Sequence, residues 1–453
     1  MPNQIARYLK LHKTSIILAL VCLGLYYTFA YHLERTDFIK LLTLFAALFF
    51  LFFKLIQFEK WNFKFLVICG VAFRVVFLLT EPNLSQDYYR FIWDGQLILN
   101  GINPYLFTPD TLMGQPDFVL ANAQELHNGM GALSARHFSN YPPFNQYIFA
   151  ITAFFGGKSI LGSVIAMRTI IILADIGIFY FGRKLLKKIN RSPHVIFWYF
   201  LNPLIIVELT GNLHFEGVML FFFIWALYLL SVKKWVLAAV PYALSICVKL
   251  VPLIFLPLFL TYFKRKQSLL FYTLIGVISL ILTLPFFAPE FLNNYSETVG
   301  LWFSNFEFNA GFYNALKKIA IQFDAKPWEL IKSYGKITAF GLIIVTLLFT
   351  FLAKNQKLSN LIANMLWILT IYYFISATVH PWYVIFLVLL CIFTDYRFAI
   401  IWSAAIVLSY FAYAQIDFKE HMGLLAVEYI SVYGFLIYEI FSRKGKNPKF
   451  LKN

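Results

Sequence analysis

The amino-acid sequence predicts an all-α, polytopic bundle of transmembrane helices, because of its composition and the length of its apolar runs. Of the 453 residues, 60% are apolar and only 13% are charged, and the mean hydropathy is +0.71. A soluble fold cannot bury this share of apolar side chains. Since one span needs about 20 apolar residues, the successive runs predict roughly 12 to 14 membrane spans. We expect a single domain that comprises residues 1–453, with no separate soluble domain.

Apolar runs flank a long mixed segment at 81–143. Two of the later runs are ambiguous by length. Residues 144–156 are too few for an ordinary span and predict a partial or re-entrant helix, whereas 235–262 fits either one kinked span or two short ones. The other predicted spans are 15–33, 38–57, 63–80, 160–182, 195–210, 214–231, 268–287, 336–353, 359–379, 381–394, 398–414 and 423–442.

The basic residues predict how the bundle is oriented. Most of the 38 Lys and Arg residues fall in short loops, the densest of them at 183–191. Such loops stay on the cytoplasmic side, so we expect both termini in the cytoplasm and two long loops outside: the first outer loop (81–143) and the second outer loop (288–335). The net charge of +16 is then an orientation signal, and we expect no nucleic-acid partner. Four aromatic residues of the second outer loop predict an amphipathic segment on the outer membrane surface: Trp302, Phe303, Phe306 and Phe308.

An acidic, a basic and an acidic residue follow one another at helical spacing in the first outer loop. Asp87 and Asp94 are seven residues apart, and Arg90 lies between them, so all three project from the same face of a helix. Arg90 and Asp94 also have the spacing of four residues that favours an ion pair. The row is either a stabilised helix face or one wall of an active site, and for Asp94 both an ion pair with Arg90 and substrate binding remain open.

Ionisable residues inside predicted spans need a reason, because a charge at a helix centre costs about 2.5–3.5 kcal/mol on insertion scales. Arg168 and Asp175 share a helix face and are expected to pair. His214 and Glu216 lie in a break between two apolar spans, where irregular backbone indicates a cavity and a functional role. Lys249 has no partner nearby in the sequence, so either an anionic ligand such as a lipid phosphate or a carboxylate from another helix is expected to neutralise it.

Four segments occur in order along the chain: QDYYRFIWDGQLILNGINPY at 86–105, YPPFNQYIFA at 141–150, LNPLIIVELTGNLHFEGVML at 201–220 and HPWYVIFLV at 380–388. Together they resemble the GT-C superfamily of integral-membrane glycosyltransferases, most of all the polyprenyl-phosphate-mannose-dependent mannosyltransferases and their uncharacterised bacterial relatives. The resemblance implies a catalytic first outer loop with short amphipathic helices. It also implies inverting transfer of a hexose, with mannose the expected sugar, from a polyprenyl-phosphate donor to a lipid or glycan acceptor. The reaction is expected at the outer face of a bacterial plasma membrane, among membrane lipids.

The resemblance further implies roles for individual residues. The first acidic residue of the first outer loop is the family's general base, which is Asp87 here. Relatives often carry two adjacent acids at this point, whereas Gln86 precedes Asp87 in this chain, so we expect neither a metal nor another cofactor. The candidate substrate-binding residues are Arg90, Asp94, Asn212, His214, Glu216, Lys249, His380, Trp382 and Tyr383.

A transporter or flippase of a lipid-linked or polar solute is the alternative function, because broken helices and charges within the membrane would serve it as well. Two observations favour the enzyme. The acidic row lies in a long outer loop and not at the bilayer midplane. In addition, the two halves of the chain lack the matching pair of interrupted helices that many transporters show.

Overall fold

The computed structural model describes residues 2–415 and 417–444. Within these residues the secondary structure is helical, apart from turns and an isolated parallel bridge between Phe308 and Thr378. The described helices that are long and apolar enough to cross a membrane number seven: Lys13–His32, Phe38–Phe58, Ile160–Lys188, Arg265–Phe286, Pro327–Leu352, Leu358–Ile375 and Met422–Ser442. The predicted all-α polytopic bundle is therefore confirmed. The number of spans that meet the length criterion is lower than the 12 to 14 expected, at seven, or up to eight if the bent pair Pro193–Phe200 and Pro203–Gly211 is one span, because other apolar helices of the described part have only 10–17 residues.

The N-terminal half of the chain contains the first outer loop. Its helices are α1 (Pro2–Leu11), α2 (Lys13–His32), α3 (Phe38–Phe58), α4 (Phe63–Val75), α5 (Asp87–Leu99), α6 (Pro109–Met113), α7 (Ala123–Ala135), α8 (Pro143–Gly156) and α9 (Ile160–Lys188). The short helices α5 to α7 belong to the first outer loop, as predicted. Helix α8 has only 14 residues and packs against both α5 and α9, so it fastens the loop to the bundle.

The chain breaks repeatedly between residues 193 and 262. The elements are a 3₁₀ helix (Pro193–Ile196), α10 (Phe197–Phe200), α11 (Pro203–Ile205), a π-helix (Ile206–Gly211), α12 (Glu216–Ser231), α13 (Trp235–Val248), a second 3₁₀ helix (Val251–Leu258) and α14 (Phe259–Tyr262). The predicted span 195–210 is bent by 54°, because Pro203 cannot donate the N–H that a continuous helix needs. Lys249 is extended, with φ −148° and ψ 139°, and it divides 235–262 into two short helical parts, the second of the two predicted alternatives.

Longer helices return in the C-terminal part. They and the short turns between them are α15 (Arg265–Thr283), a 3₁₀ helix (Leu284–Phe286), α16 (Phe291–Ser304), α17 (Gly311–Ile321), α18 (Pro327–Leu352), α19 (Leu358–Ile375), a 3₁₀ helix (Pro381–Tyr383), α20 (Val384–Ile392), α21 (Phe398–Ala405), a 3₁₀ helix (Ile406–Ala414) and α22 (Met422–Lys444). The predicted surface position of Phe308 is wrong. Its backbone bonds to Ala377 and Val379, which carries the side chain into the interior. The side chains of Trp302 and Phe303 lie outside the described part of the structure.

The predicted ion pair between Arg168 and Asp175 is also wrong. Asp175 pairs with Arg74, with 2.8 Å between Oδ2 of Asp175 and Nε of Arg74. The side chains of Asp175, Arg74 and Arg168 are all fully buried. Arg168 instead donates hydrogen bonds to the carbonyls of Thr210 (2.7 Å) and Gly211 (3.1 Å), at the end of the π-helix. Buried carbonyls need donors, and a guanidinium can supply several at once, so the backbone break decides the partner of Arg168.

Candidate active site

A cavity of about 770 Å³ lies among the first outer loop, the start of α12, the segment after α13, and α18 and α19. Asp94, Asn212 and His214 do not line this cavity. The other predicted site residues do, although they come from widely separated parts of the sequence: Asp87, Arg90, Glu216, Lys249, His380, Trp382 and Tyr383. The structure thus brings the predicted segments to a common site, with most of their polar residues at its wall.

Asp87 is the first residue of α5, and its side chain is only partly buried at the cavity wall. Its backbone N–H donates to the hydroxyl of Ser85 at 3.3 Å, which fixes the start of the helix. Among the described residues, none forms a hydrogen bond or an ion pair with the Asp87 carboxylate. The group is therefore free to accept a proton or a hydrogen bond from a molecule in the cavity.

Asp94 holds Arg90 in place. The Nε of Arg90 lies 2.7 Å from Oδ1 of Asp94, and Nη1 donates to the carbonyl of Ser134 at 2.7 Å. Oδ2 of Asp94 accepts hydrogen bonds from Ser139 (2.6 Å) and Gln146 (3.0 Å). Asp94 is fully buried, so of its two open roles the structure shows the ion pair. Arg90 lines the cavity with its orientation set by these contacts.

A second ion pair stands at the cavity wall, between Lys249 and Glu216. Glu216 begins α12 and Lys249 follows α13, and the extended backbone at Lys249 directs its side chain to the neighbouring helix. The expected carboxylate partner from another helix is thus present. Both residues also line the cavity, and the Lys249 side chain remains 22% exposed, so an anionic ligand can still reach the ammonium group.

Stacked rings form the wall behind the cavity. His214 lies 3.8 Å from Trp382 and Trp382 lies 4.4 Å from His380, measured between ring centroids, with nearly parallel planes. His214 does not line the cavity, and its Nε2 lies 3.4 Å from the buried Glu208 carboxylate. Asn212 donates a hydrogen bond to the same carboxylate at 3.2 Å. His214 and Asn212 therefore support the wall, whereas Trp382 and His380 line the cavity.

One end of the cavity is apolar. The 3₁₀ helix Val251–Leu258 contributes Leu253 and Ile254, and α18 contributes Leu342, Ile343 and Leu347. Leu253 and Ile343 line the cavity and are nevertheless 47% and 57% exposed, so this end is open between the two helices. Sequence reasoning missed this feature, since apolar residues on a predicted span do not reveal whether they face lipid or a cavity.

Arg35 is a further cavity residue that sequence reasoning missed. It lies in the turn between α2 and α3, and the centroid of the Tyr413 ring is 3.8 Å from its guanidinium carbon. A charge in a short turn is usually solvated, and only the packing of this turn against the end of the 3₁₀ helix Ile406–Ala414 brings Arg35 to the site.

No cluster of three His, Cys, Asp or Glu side chains suited to a metal occurs in 2–415 and 417–444, and the expectation that no metal is needed remains a prediction.

The membrane bundle, the helical first outer loop and the shared cavity define a protein of the GT-C glycosyltransferase type. Residues 38–265 match the family described as "Alpha-(1->6)-mannopyranosyltransferase, N-terminal domain", and the chain belongs to this family. Over 146 residues the chain is 30% identical to alpha-(1->6)-mannopyranosyltransferase B of Corynebacterium glutamicum. That alignment covers 32% of this chain and 23% of the relative. The resemblance to membrane mannosyltransferases is thereby confirmed.

Proposed function

We propose that the protein transfers a mannosyl group from a polyprenyl-phosphate donor to a hydroxyl of a lipid or glycan acceptor, with inversion and with Asp87 as general base. The reaction takes place at the outer face of a bacterial plasma membrane, with both termini in the cytoplasm. The observation that carries the proposal is a single cavity that combines a free carboxylate, Asp87, with an open apolar end. The family description and the name of the relative support mannose as the sugar.

The apolar end of the cavity suits the isoprenoid tail of the donor. Leu253 of the 3₁₀ helix and Ile343 of α18 line the cavity and are about half exposed, so a tail can enter from the bilayer beside them. Lys249 stands immediately before the apolar segment 250–258, which puts a cation where the tail would end and the phosphate begin. Transfer releases a polyprenyl phosphate with added negative charge, and Lys249 together with the oriented Arg90 stabilises that charge.

Asp87 activates the acceptor. As the acceptor oxygen bonds to the anomeric carbon, its proton passes to the Asp87 carboxylate, and the bond from that carbon to the phosphate oxygen breaks with its electron pair. Glu216 is the other carboxylate on the described cavity wall, and Lys249 engages it. No second free carboxylate is thus at hand among the described lining residues for a covalent intermediate, which favours a single inverting displacement. Burial and the Asp87 charge raise the pKa of Tyr141 well above its ordinary value, so its hydroxyl does not compete as a base.

The test is the variant Asp87→Asn beside a matched control, Asp117→Asn, whose side chain is exposed in the same loop and does not line the cavity. Purified proteins are offered a panel of polyprenyl-phosphate sugars, and both sugar transfer and donor hydrolysis are measured. We expect polyprenyl-phosphate mannose to be used, and Asp87→Asn to lower kcat by roughly 10²- to 10⁴-fold with donor binding retained. Full activity of Asp87→Asn would remove Asp87 as the base. Uptake of solute into vesicles without any new glycosidic bond would support the transporter instead.

A further inference from the structure

Arg35 stands apart from the other cations of the cavity. Arg90 and Lys249 each hold a carboxylate, whereas Arg35 makes no ion pair within the described residues, even with Glu34 and Asp37 of the same turn. It also precedes residue 38, where the match to the family begins. Arg35 therefore lies just outside the residues that match the family.

The geometry of Arg35 leaves hydrogen-bond donors available. The guanidinium carbon lies 3.8 Å from the centroid of the Tyr413 ring, so the ring face holds the cation in place. Its Nε is buried and has no hydrogen-bond partner in the described part of the chain. A buried donor without a partner costs free energy, and a planar guanidinium matches the two oxygens of a phosphate or carboxylate. An oxyanion would therefore be a suitable partner for this donor.

Arg35 and Lys249 come to the cavity from different parts of the chain, Arg35 from the turn between α2 and α3 and Lys249 from the segment after α13. Tyr413 is within electrostatic range of both Arg35 and Asp87, while Tyr383 is within range of both Asp87 and Glu216. Both cationic positions are therefore near Asp87 in the cavity. In the proposed reaction the donor phosphate binds at Lys249, which leaves Arg35 available to the acceptor whose hydroxyl Asp87 activates.

We propose that Arg35 binds an oxyanion, phosphate or carboxylate, carried by the acceptor, and so makes this protein selective for anionic acceptors. The proposal rests on the proposed mannosyl transfer. It adds a subsite for the acceptor in the turn between α2 and α3, with Tyr413 as the surface on which the guanidinium of Arg35 is held.

The experiment compares two acceptors that differ only in charge: a short mannoside as its neutral methyl glycoside, and the same mannoside carrying a phosphate monoester. The ratio of kcat/KM for the charged over the neutral acceptor is measured for the native protein, for Arg35→Gln and for Arg35→Lys. We expect Arg35→Gln to lower the ratio by roughly 10- to 100-fold through the acceptor KM. Arg35→Lys should recover part of it, since it keeps the charge and loses the planar fork. Lys40→Gln is the control, because it removes the same charge from α3 at a side chain that lies outside the cavity lining.

Each other outcome contradicts the proposal in a distinct way. A native protein that does not prefer the charged acceptor overturns it, as does an equal loss on both acceptors in Arg35→Gln, which would make Arg35 a packing residue. A rise in the donor KM, measured by hydrolysis without acceptor, would assign the oxyanion to the donor. If no donor is used at all, the proposed function fails, and binding is measured by thermal unfolding instead. Mannose 6-phosphate, but not mannose, should then raise the melting temperature of the native protein more than that of Arg35→Gln. Equal shifts in the two proteins would refute the subsite.

Discussion

Replacing Gly95 with alanine tests whether the close contact of α5 with α8 positions the active site. A Cβ built on Gly95 would lie 2.3 Å from the carbonyl oxygen of Phe149 and 2.6 Å from its carbonyl carbon. It would also lie 3.1 Å from the Cβ of Ala153. The nearest atoms are backbone atoms of α8 and have no rotamer to change, so the helices must separate by roughly 1 Å to restore ordinary contact.

The displacement has a calculable effect on both stability and activity. Overpacking of a tight contact costs about 1–3 kcal/mol. Asp87 and Arg90 lie on the same helix as Gly95, so a shift of α5 moves the base and the cation together relative to Lys249, which follows α13. A misplacement of about 1 Å at reacting groups can lower the rate by roughly 100-fold. We therefore expect a folded but less stable protein whose kcat for mannosyl transfer falls by about that factor.

The assay measures transfer per folded molecule, together with thermal unfolding in detergent. Gly114→Ala is the matched control, because a Cβ at Gly114 of the same outer loop meets its nearest atom at 3.6 Å, an ordinary contact. A Gly95→Ala protein with native stability and native kcat would refute the reasoning that the α5–α8 contact sets the position of Asp87.

Two further predictions concern the buried ion pairs. Asp94→Asn removes the charge that orients Arg90. Because a charge-assisted hydrogen bond is lost, kcat should fall by roughly 10- to 100-fold. An unchanged kcat would show that the orientation of Arg90 does not matter. Asp175→Asn leaves Arg74 buried without its carboxylate, which should destabilise the protein by about 3–5 kcal/mol. The double variant Arg74→Met with Asp175→Leu should recover most of that loss in thermal unfolding, whereas a double variant as unstable as Asp175→Asn would contradict the charge argument.

Local spacing was a reliable guide wherever the partners lie on one helix. Arg90 and Asp94 are four residues apart and do pair, since one helical turn brings such side chains together whatever else the chain does. Arg168 and Asp175 share a face but are nearly two turns apart, and each found a partner elsewhere. The partners of Arg168 were set by a helix break, and the partner of Asp175 by a neighbouring helix. A spacing of seven residues along the sequence predicts neither.

The placement of the polar motifs was predictable only in part. His380 and Trp382 line the cavity as expected, whereas His214 stacks on the Trp382 ring and does not line the cavity. Both histidines occur in motif-like segments next to helix breaks, so the sequence offered no means to distinguish the one that lines the cavity from the one that supports its wall. Arg35 illustrates the converse, because a residue in an unremarkable turn became part of the site through its contact with Tyr413.

By itself the sequence determined the class of fold, the division of the chain into apolar helices and outer loops, and the family resemblance, because these depend on composition, run length and local motifs. The tertiary structure decided which carboxylate is free. Asp94 is held by Arg90 and Glu216 by Lys249, while Asp87 remains unpaired among the described residues. The pair between Lys249 and Glu216 joins residues on different helices, and such a pair forms only where the helices pack at a particular distance and rotation. That packing reflects many contacts along the whole bundle, and no local pattern in the sequence contains it.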